Sequence, residues 1–241
     1  MAKQIVVTSV IDAVTADLRS RVLERKIIPG SPITEQIVAE QYGVARATAK
    51  AAIERLVAGK VLTRTSHKTA KVVTLGPDDV RDIYNTRIYL ESEILRRLAR
   101  ERSVPEACRI ANQQIAELWS RGDYNIVEPD MRYHTTLVKR LNSPRTSTMY
   151  GSLAFEVKLC MSQLQGTQQL SPQIIVAEHA AIMESIKVGD GEGAAKLLDE
   201  HLSRARELLA SSLGGEPGPA AFVPPTVFTE KWIGLSVPAP S

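Results

Sequence analysis

Residues 27–62 read IIPGSPITEQIVAEQYGVARATAKAAIERLVAGKVL, and this stretch decides the fold of the first third of the chain. Pro29 and the glycine that follows it cannot continue a helix, so they end the segment before them. Thr34 is a suitable N-cap for a short helix, and Gly43 ends that helix in a turn. The alanine-rich segment over residues 45–58 has high helix propensity and predicts a further helix.

The segments on either side complete a recognisable order of elements. Residues 8–27 carry apolar side chains at three- and four-residue steps and predict an earlier helix. Residues 60–75, KVLTRTSHKTAKVVTL, place β-branched residues on both sides of a polar tip and predict a two-stranded wing. A helix, a helix, a short turn, a helix and a β-wing form a winged helix-turn-helix, in which the second helix of the motif enters the major groove of DNA.

Charge is distributed unevenly along the chain. Residues 1–76 hold 12 Lys and Arg against 6 Asp and Glu, residues 77–212 hold 17 against 19, and residues 213–241 hold 1 against 2. The basic excess is therefore confined to the first third, which favours a module that binds a polyanion. A solvated charged face without a partner is the alternative.

The start of the third helix and the tip of the wing carry the candidate DNA contacts. Arg and Lys side chains can reach guanine or phosphate oxygens, and Thr can contact either. The candidates are Arg46, Thr48 and Lys50 on the helix and His67, Lys68 and Lys71 on the wing.

From Pro77 onward the sequence has helical periodicity, and it predicts an all-α antiparallel bundle. The predicted helices cover residues 77–102, 105–120, 126–141, 145–166, 172–188 and 190–212. The expected fold class is therefore mainly α. The expected domains are a winged helix-turn-helix at 8–75, a helical domain at 77–212 and a Pro/Gly-rich tail at 213–241.

Four side chains of the helical region are of metal-ligand type: Asp130, His134, His179 and His201. The first two are four residues apart and share one face of a helix. Three imidazoles and one carboxylate from three helices suit a divalent transition metal such as Zn, Ni or Mn. Histidines that are merely buried and hydrogen-bonded in the core are the alternative.

The first third resembles the DNA-binding domain of the GntR family of bacterial transcription regulators. The resemblance rests on a Pro-Gly pair, an Ile-x-Glu, a small residue followed by Arg, an Ala-Ile and a Leu-x-x-Gly, carried by Pro29, Gly30, Ile33, Glu35, Ala45, Arg46, Ala52, Ile53, Leu56 and Gly59. The chain departs from the family pattern in two places. The recognition helix has Lys50 in place of a second Arg and lacks the Pro and Glu of the family pattern, and the wing has Lys68-Thr69 where the family has Arg-Gly.

The remainder resembles the ligand-binding FCD domain of the FadR subgroup of that family. DIYNTRIYLES, DMRYHTTLVKRLNSP and EHAAIMESIKVGDGEGAAKLLDEHL carry the resemblance. It implies a metal held by Asp130 and the three histidines named above. It also implies that Arg87 binds an effector carboxylate and that Asn142 lies near the effector. An ordinary ion pair between Arg87 and Glu91, four residues on, is the alternative role for that arginine.

Together these features predict a DNA-binding transcriptional regulator, not an enzyme, that reads a near-palindromic operator as a homodimer. A small organic-acid effector near the metal would change operator affinity, and repression relieved by the effector is the favoured sign. A regulator whose effector is the metal itself, a metal-dependent hydrolase and a protein that binds DNA without sequence preference are the alternatives.

The chain has no apolar run long enough to span a membrane, and no signal peptide is expected. Cys108 and Cys160 are far apart and fit a reducing compartment, so we expect a cytoplasmic, nucleoid-associated protein. The tail carries Phe222, Phe228 and Trp232 among six prolines and four glycines. We expect these rings to pack on the bundle or on a dimer partner.

Overall fold

The computed structural model describes residues 9–65, 68–162, 171–216 and 218. Within these residues the chain forms nine α-helices and three short β-strands. It divides into two compact units, Met1–Leu75 and Gly76–Ser241. The mainly α fold class predicted from the sequence is confirmed.

The first unit is a winged helix-turn-helix. Its elements are α1 (Val10–Leu23), β1 (Pro32–Ile33), α2 (Glu35–Tyr42), α3 (Arg46–Ala58), β2 (Leu62–Thr63) and β3 (Ala70–Val72). The strands are antiparallel in the order β1-β3-β2. The wing therefore has a third strand that the sequence did not indicate. A strand of two residues, one of them a proline, is too short for a periodicity signal, and the pairing of Ile33 with Ala70 is a long-range contact.

Local chemistry sets the helix ends in this unit. The Thr34 hydroxyl accepts a hydrogen bond from the Ile37 backbone N–H at 3.2 Å, as expected of an N-cap. Gly43 has φ = +61°, a left-handed conformation that glycine adopts without strain. In α2 only Val38 is buried, whereas the neighbouring Ile37 is 49% exposed. Ile53 in α3 is fully buried.

The second unit is a helical bundle. Its helices are α4 (Pro77–Glu101), α5 (Glu106–Ser120), α6 (Val127–Lys139), α7 (Pro144–Ser162), α8 (Pro172–Val188) and α9 (Gly191–Ser212). The long helix α4 packs along α9 and also contacts α6, α7 and α8, so it is the central element of the bundle. The last predicted residues of α7, 163–166, lie outside the described residues, as do Phe222, Phe228 and Trp232.

Helix α4 buries two charged side chains within its apolar face. Val80, Ile83 and Tyr84 begin a buried stripe at helical spacing, and Arg87 and Glu91 continue it. Charged residues are almost never fully buried unless they are paired. Their position in the stripe marks the place where the bundle has a polar interior.

No helix in the described part of the chain is long and apolar enough to cross a membrane.

Two isoleucines of the first unit provide a matched test of this packing. Ile53→Ala should lower the free energy of unfolding by about 2–5 kcal/mol, because the side chain is fully buried. Ile37→Ala should change it by less than about 1 kcal/mol, because half of that side chain is already in water. Chemical denaturation of the two variants measures both values. Equal losses would contradict the burial described for α2 and α3.

Candidate metal centre and DNA-contacting surface

The structure brings the four ligand-type side chains together inside the helical unit. Asp130 and His134 come from α6, His179 from α8 and His201 from α9. One ligand atom from each residue lies within 4.8 Å of those of the other three, and each residue is at most 4% exposed. Three helices thus converge on a single buried cluster.

A glutamate on α4 orients the first histidine. The Glu91 carboxylate lies 2.6 Å from Nδ1 of His134. Burial opposes ionisation of Glu91, but His134 and Arg87 outweigh it and hold the pKa of this carboxyl well below its usual range. An ionised carboxylate can only accept, so Nδ1 carries the proton and Nε2 keeps its lone pair. A histidine in this state can bind a metal through Nε2.

A second glutamate orients His201 in the same way. Glu178 of α8 lies 2.7 Å from Nδ1 of His201. Arg204 of α9 donates to both oxygens of the same carboxylate. Burial opposes ionisation of Glu178, but the hydrogen bond from His201 and the charge of Arg204 lower its pKa. Nε2 of His201 is therefore also available as a ligand atom.

The third histidine is held by stacking. The rings of Tyr133 and His179 lie 3.7 Å apart and nearly parallel, and the Tyr133 hydroxyl donates to the His179 carbonyl at 3.3 Å. Burial, reinforced by the neighbouring His201 and His134, lowers the pKa of His179 well below its usual value. Its imidazole is therefore neutral. Nε2 lies 3.6 Å from Oδ1 of Asp130, which is too far for a hydrogen bond.

The free polar atoms of the cluster fit a metal ion. Among the described residues, Nε2 of His134 and both ring nitrogens of His179 are buried without a hydrogen-bond partner. Each such orphan costs about 1–3 kcal/mol. With metal–ligand bonds of about 2.0–2.1 Å, adjacent ligand atoms lie about 3 Å apart and opposite ones about 4 Å. The four residues need only a small contraction to reach this geometry, and three imidazoles with one carboxylate suit a divalent transition metal.

Arg87 and Asn142 differ in their relation to the cluster. Arg87 is 1% exposed and its Nε donates to Glu91 at 2.9 Å, so the ion pair considered from the sequence is present. Its Nη2 is buried and has no hydrogen-bond partner in the described part of the chain. Asn142 lies exposed in the turn between α6 and α7, with φ = +50°. A role of Arg87 or Asn142 in effector binding therefore stays a prediction.

Sequence reasoning missed the residues that surround the ligands. Glu91 was considered only as a partner of Arg87, and Glu178 was not considered. Tyr150 of α7 was also missed, although its hydroxyl donates to Glu91 at 2.5 Å. One signal was available: Glu91 continues the apolar stripe of α4. The partners of Tyr150 and Glu178 come from other helices and become visible only in the folded chain.

The predicted DNA contacts lie on α3 and the wing. Arg46 and Lys50 are exposed in the first turns of α3, and Thr48 is half-buried between them. Lys68 and Lys71 are exposed on the wing. The remaining candidate, His67, lies outside the described residues.

Comparison with known protein families matches both units. The model of the gntR family of bacterial regulatory proteins matches residues 10–72, and the model of the FCD domain matches residues 82–204. Together these matches cover most of the winged unit and most of the bundle.

Individual relatives agree with this. The chain is 23% identical over 205 residues to BphR of Paraburkholderia xenovorans, named as an uncharacterised HTH-type transcriptional regulator; the match spans 81% of this chain and 83% of BphR. It is 24% identical to the gluconate operon transcriptional repressor of Bacillus licheniformis over 54% of each protein.

A solved structure from Rhodococcus sp. RHA1, described as a GntR transcriptional regulator, has a similar fold. It superposes with a TM-score of 0.73 and 20% identity, covering 87% of this chain and 100% of that one. The two units of the present chain match the two family models in order. The chain therefore belongs to the GntR family of bacterial transcription regulators and carries an FCD domain.

Proposed function

We propose that this protein is a homodimeric transcription regulator of the FadR subgroup, and that a small carboxylate bound beside a metal centre controls its affinity for an operator. The observation that carries the proposal is the buried cluster of three imidazoles and one carboxylate, with ring nitrogens that have no partner among the described residues. Asp130, His134, His179 and His201 would hold Zn, Ni or Mn. The metal, when bound, supplies a positive centre with room for exogenous ligands.

The charges around the cluster favour an anionic effector. Three carboxylates, Asp130, Glu91 and Glu178, and two guanidinium groups, Arg87 and Arg204, are buried there. With neutral histidines this set carries one net negative charge, so a dication would leave one net positive charge. A monocarboxylate would neutralise it, and an uncompensated charge is costly at this depth.

Arg87 is the donor best suited to a carboxylate. Glu91 occupies its Nε, whereas Nη2 is buried with no acceptor in the described residues. A guanidinium binds carboxylates with directional, charge-assisted hydrogen bonds. The ion pair with Glu91 therefore fixes the orientation of Arg87 rather than consuming all its donors. Asn142 stays a weaker candidate for effector contact, because it lies exposed in a turn.

The cluster is built so that ligand binding can move helices. Its ligands and their carboxylate partners come from α4, α6, α8 and α9, and α4 begins at Pro77, directly after the winged unit ends at Leu75. A ligand that binds one helix arrangement better than another shifts the population towards it. In a dimer this would change the spacing of the two recognition helices, which must match two operator half-sites.

We expect the protein to repress transcription and the effector to relieve that repression, rather than to activate transcription. The Bacillus licheniformis relative is named as a repressor, and this supports the same role here. Arg46, Thr48 and Lys50 would read base edges in the major groove, while His67, Lys68 and Lys71 would contact phosphates or the minor groove. The site of action would be the cytoplasm, on chromosomal DNA.

A panel of small carboxylates tests the effector. At least one should weaken binding of the metal-loaded protein to a duplex selected from fragmented genomic DNA, by about 5–150-fold. The matching carboxamides should have no effect, because they lack the charge that the centre requires. Fluorescence anisotropy at fixed salt measures the affinities.

Two results of this experiment would contradict the proposal. If no carboxylate changed the affinity, the effector class would be wrong. If chelation alone changed it as much as any carboxylate, the metal itself would be the effector.

Loss of one ligand should remove the metal. His179→Ala should lose most of the metal that copurifies with the chain, and also the stabilisation that a bound ligand gives, about 2.7 kcal/mol at a hundredfold excess over Kd. His67→Ala is the matched control, because His67 is the one histidine outside the cluster. Elemental analysis and thermal unfolding with and without metal measure both effects. Equal metal contents in the two variants would refute the site.

The glutamate behind His201 should tune the metal without binding it. Glu178→Gln should weaken metal affinity by about 10–100-fold while the stoichiometry stays at that of the wild type, because the amide can still accept from Nδ1 but lacks the charge. Competition with a chelator of known affinity gives the change in Kd. Unchanged affinity would show that the hydrogen bond between Glu178 and His201 has no influence on the metal.

A further inference from the structure

The winged unit contains a basic cavity that combines predicted DNA contacts with residues not singled out from the sequence. Its volume is about 420 Å³, and its walls come from the start of α2, from α3 and from the wing. Arg46 and Lys68, two of the predicted DNA contacts, line it together with Thr34, Glu35 and Arg64. Arg64 follows β2 directly.

The cavity is electropositive. Arg46, Arg64 and Lys68 contribute three positive charges to its walls, and Glu35 is the only acidic residue among its lining residues. The first turn of α2, which Thr34 caps, adds the positive end of the helix dipole. The lining residues carry a net charge of two, and it stays positive when Glu54, which pairs with Arg64 from outside the lining, is counted. A positive charge and a helix N-terminus favour a compact anion over a neutral ligand.

Arg64 is held in place at the wall of this cavity. Its Nη1 donates to Glu54 of α3 at 2.7 Å, and about a quarter of the side chain is exposed. Its Nε is buried and has no hydrogen-bond acceptor among the described residues. A guanidinium has five N–H donors, so the bond to Glu54 orients the group and leaves other donors available.

We propose that this cavity takes one backbone phosphate of the bound DNA and that Arg64, positioned by Glu54, donates to it. The inference rests on the proposed DNA-binding function and adds a residue and a ligand class to it. Arg46 and Lys68, which line the same cavity, place it on the face predicted to contact DNA. A phosphate offers several acceptors to a planar guanidinium, and such contacts fix the register of a protein on the duplex without reading its sequence.

Three variants separate this role from its rivals. Arg64→Gln removes the donor, and Glu54→Gln removes the ion pair but keeps the arginine charge. Lys26→Gln is the control for loss of one positive charge, because Lys26 is exposed and does not line the cavity. Each full-length variant is measured by fluorescence anisotropy over a series of salt concentrations. The probes are a duplex that the wild type selects from a random pool and an unrelated duplex of equal length.

Arg64→Gln should weaken binding to both duplexes by about tenfold at low salt. The slope of log affinity against log salt should fall by about 0.9 for each bound winged unit, as one phosphate contact requires. Glu54→Gln should weaken binding less than Arg64→Gln and leave the salt slope unchanged, because the charge of Arg64 remains while the ion pair that orients it is lost. Lys26→Gln should bind within about twofold of the wild type. Thermal unfolding of each variant accompanies the binding data.

Three outcomes would overturn the inference. An unchanged salt slope in Arg64→Gln would mean that no phosphate contact was lost, and a loss confined to the selected duplex would mean a base contact. Equal weakening and equal destabilisation by Arg64→Gln and Glu54→Gln would mean that the ion pair serves only the fold.

The source of the phosphate is tested separately. Inorganic phosphate is titrated into the DNA-free protein at constant ionic strength. If phosphate binding depends on Arg64 but DNA affinity does not, the cavity is a site for a free anion and the inference is overturned. A wild type that binds neither duplex would instead refute the proposed function itself.

Discussion

The helical unit depends on one constraint: three imidazoles buried in its interior must each be held in a fixed orientation. Glu91 is central to this, because it accepts from His134, Arg87 and Tyr150 and so ties α4 to α6 and α7. Glu178 repeats the arrangement between α8 and α9. Buried charges are tolerable only when such networks are complete, and a network with one partner removed costs more than an apolar core. The ring nitrogens without a partner among the described residues are the incomplete part, and a cation would complete it.

In the proposed mechanism, this constraint links the packing of the helical unit to regulation. A bundle stabilised only by apolar contacts would contain no buried charge with which a small anion could interact. In the proposed mechanism, a bundle whose central helix α4 carries Arg87 and Glu91 in its buried stripe would respond to the charge at its centre. Because α4 follows the winged unit directly in the chain, a change in its position has a short covalent route to the DNA-binding unit. The winged unit, in turn, concentrates the basic excess of the chain and presents Arg46 and Lys50 on the exposed surface of α3.

Features fixed by local chemistry were predictable from the sequence. Helix propensity and capping predicted α3 and the N-cap at Thr34, and the four-residue spacing of Asp130 and His134 placed both on one helix. Features that depend on tertiary contacts were not predictable. Strand β1 exists because it pairs with β3, and Glu178 acts on a histidine 23 positions away. The sequence pattern reports periodicity along one element, whereas these features arise between elements.

X-ray absorption spectroscopy at the edge of the metal that copurifies with the protein tests the central claim most directly. The proposed centre predicts nitrogen and oxygen scatterers at about 2.0–2.2 Å, with the multiple-scattering signal of about three imidazoles and no sulfur. A sulfur scatterer at about 2.3 Å, or a metal surrounded by water oxygens without imidazole, would contradict it. Either result would leave the buried histidines as structural residues of the bundle, and the effector would then have to be sought elsewhere in the chain.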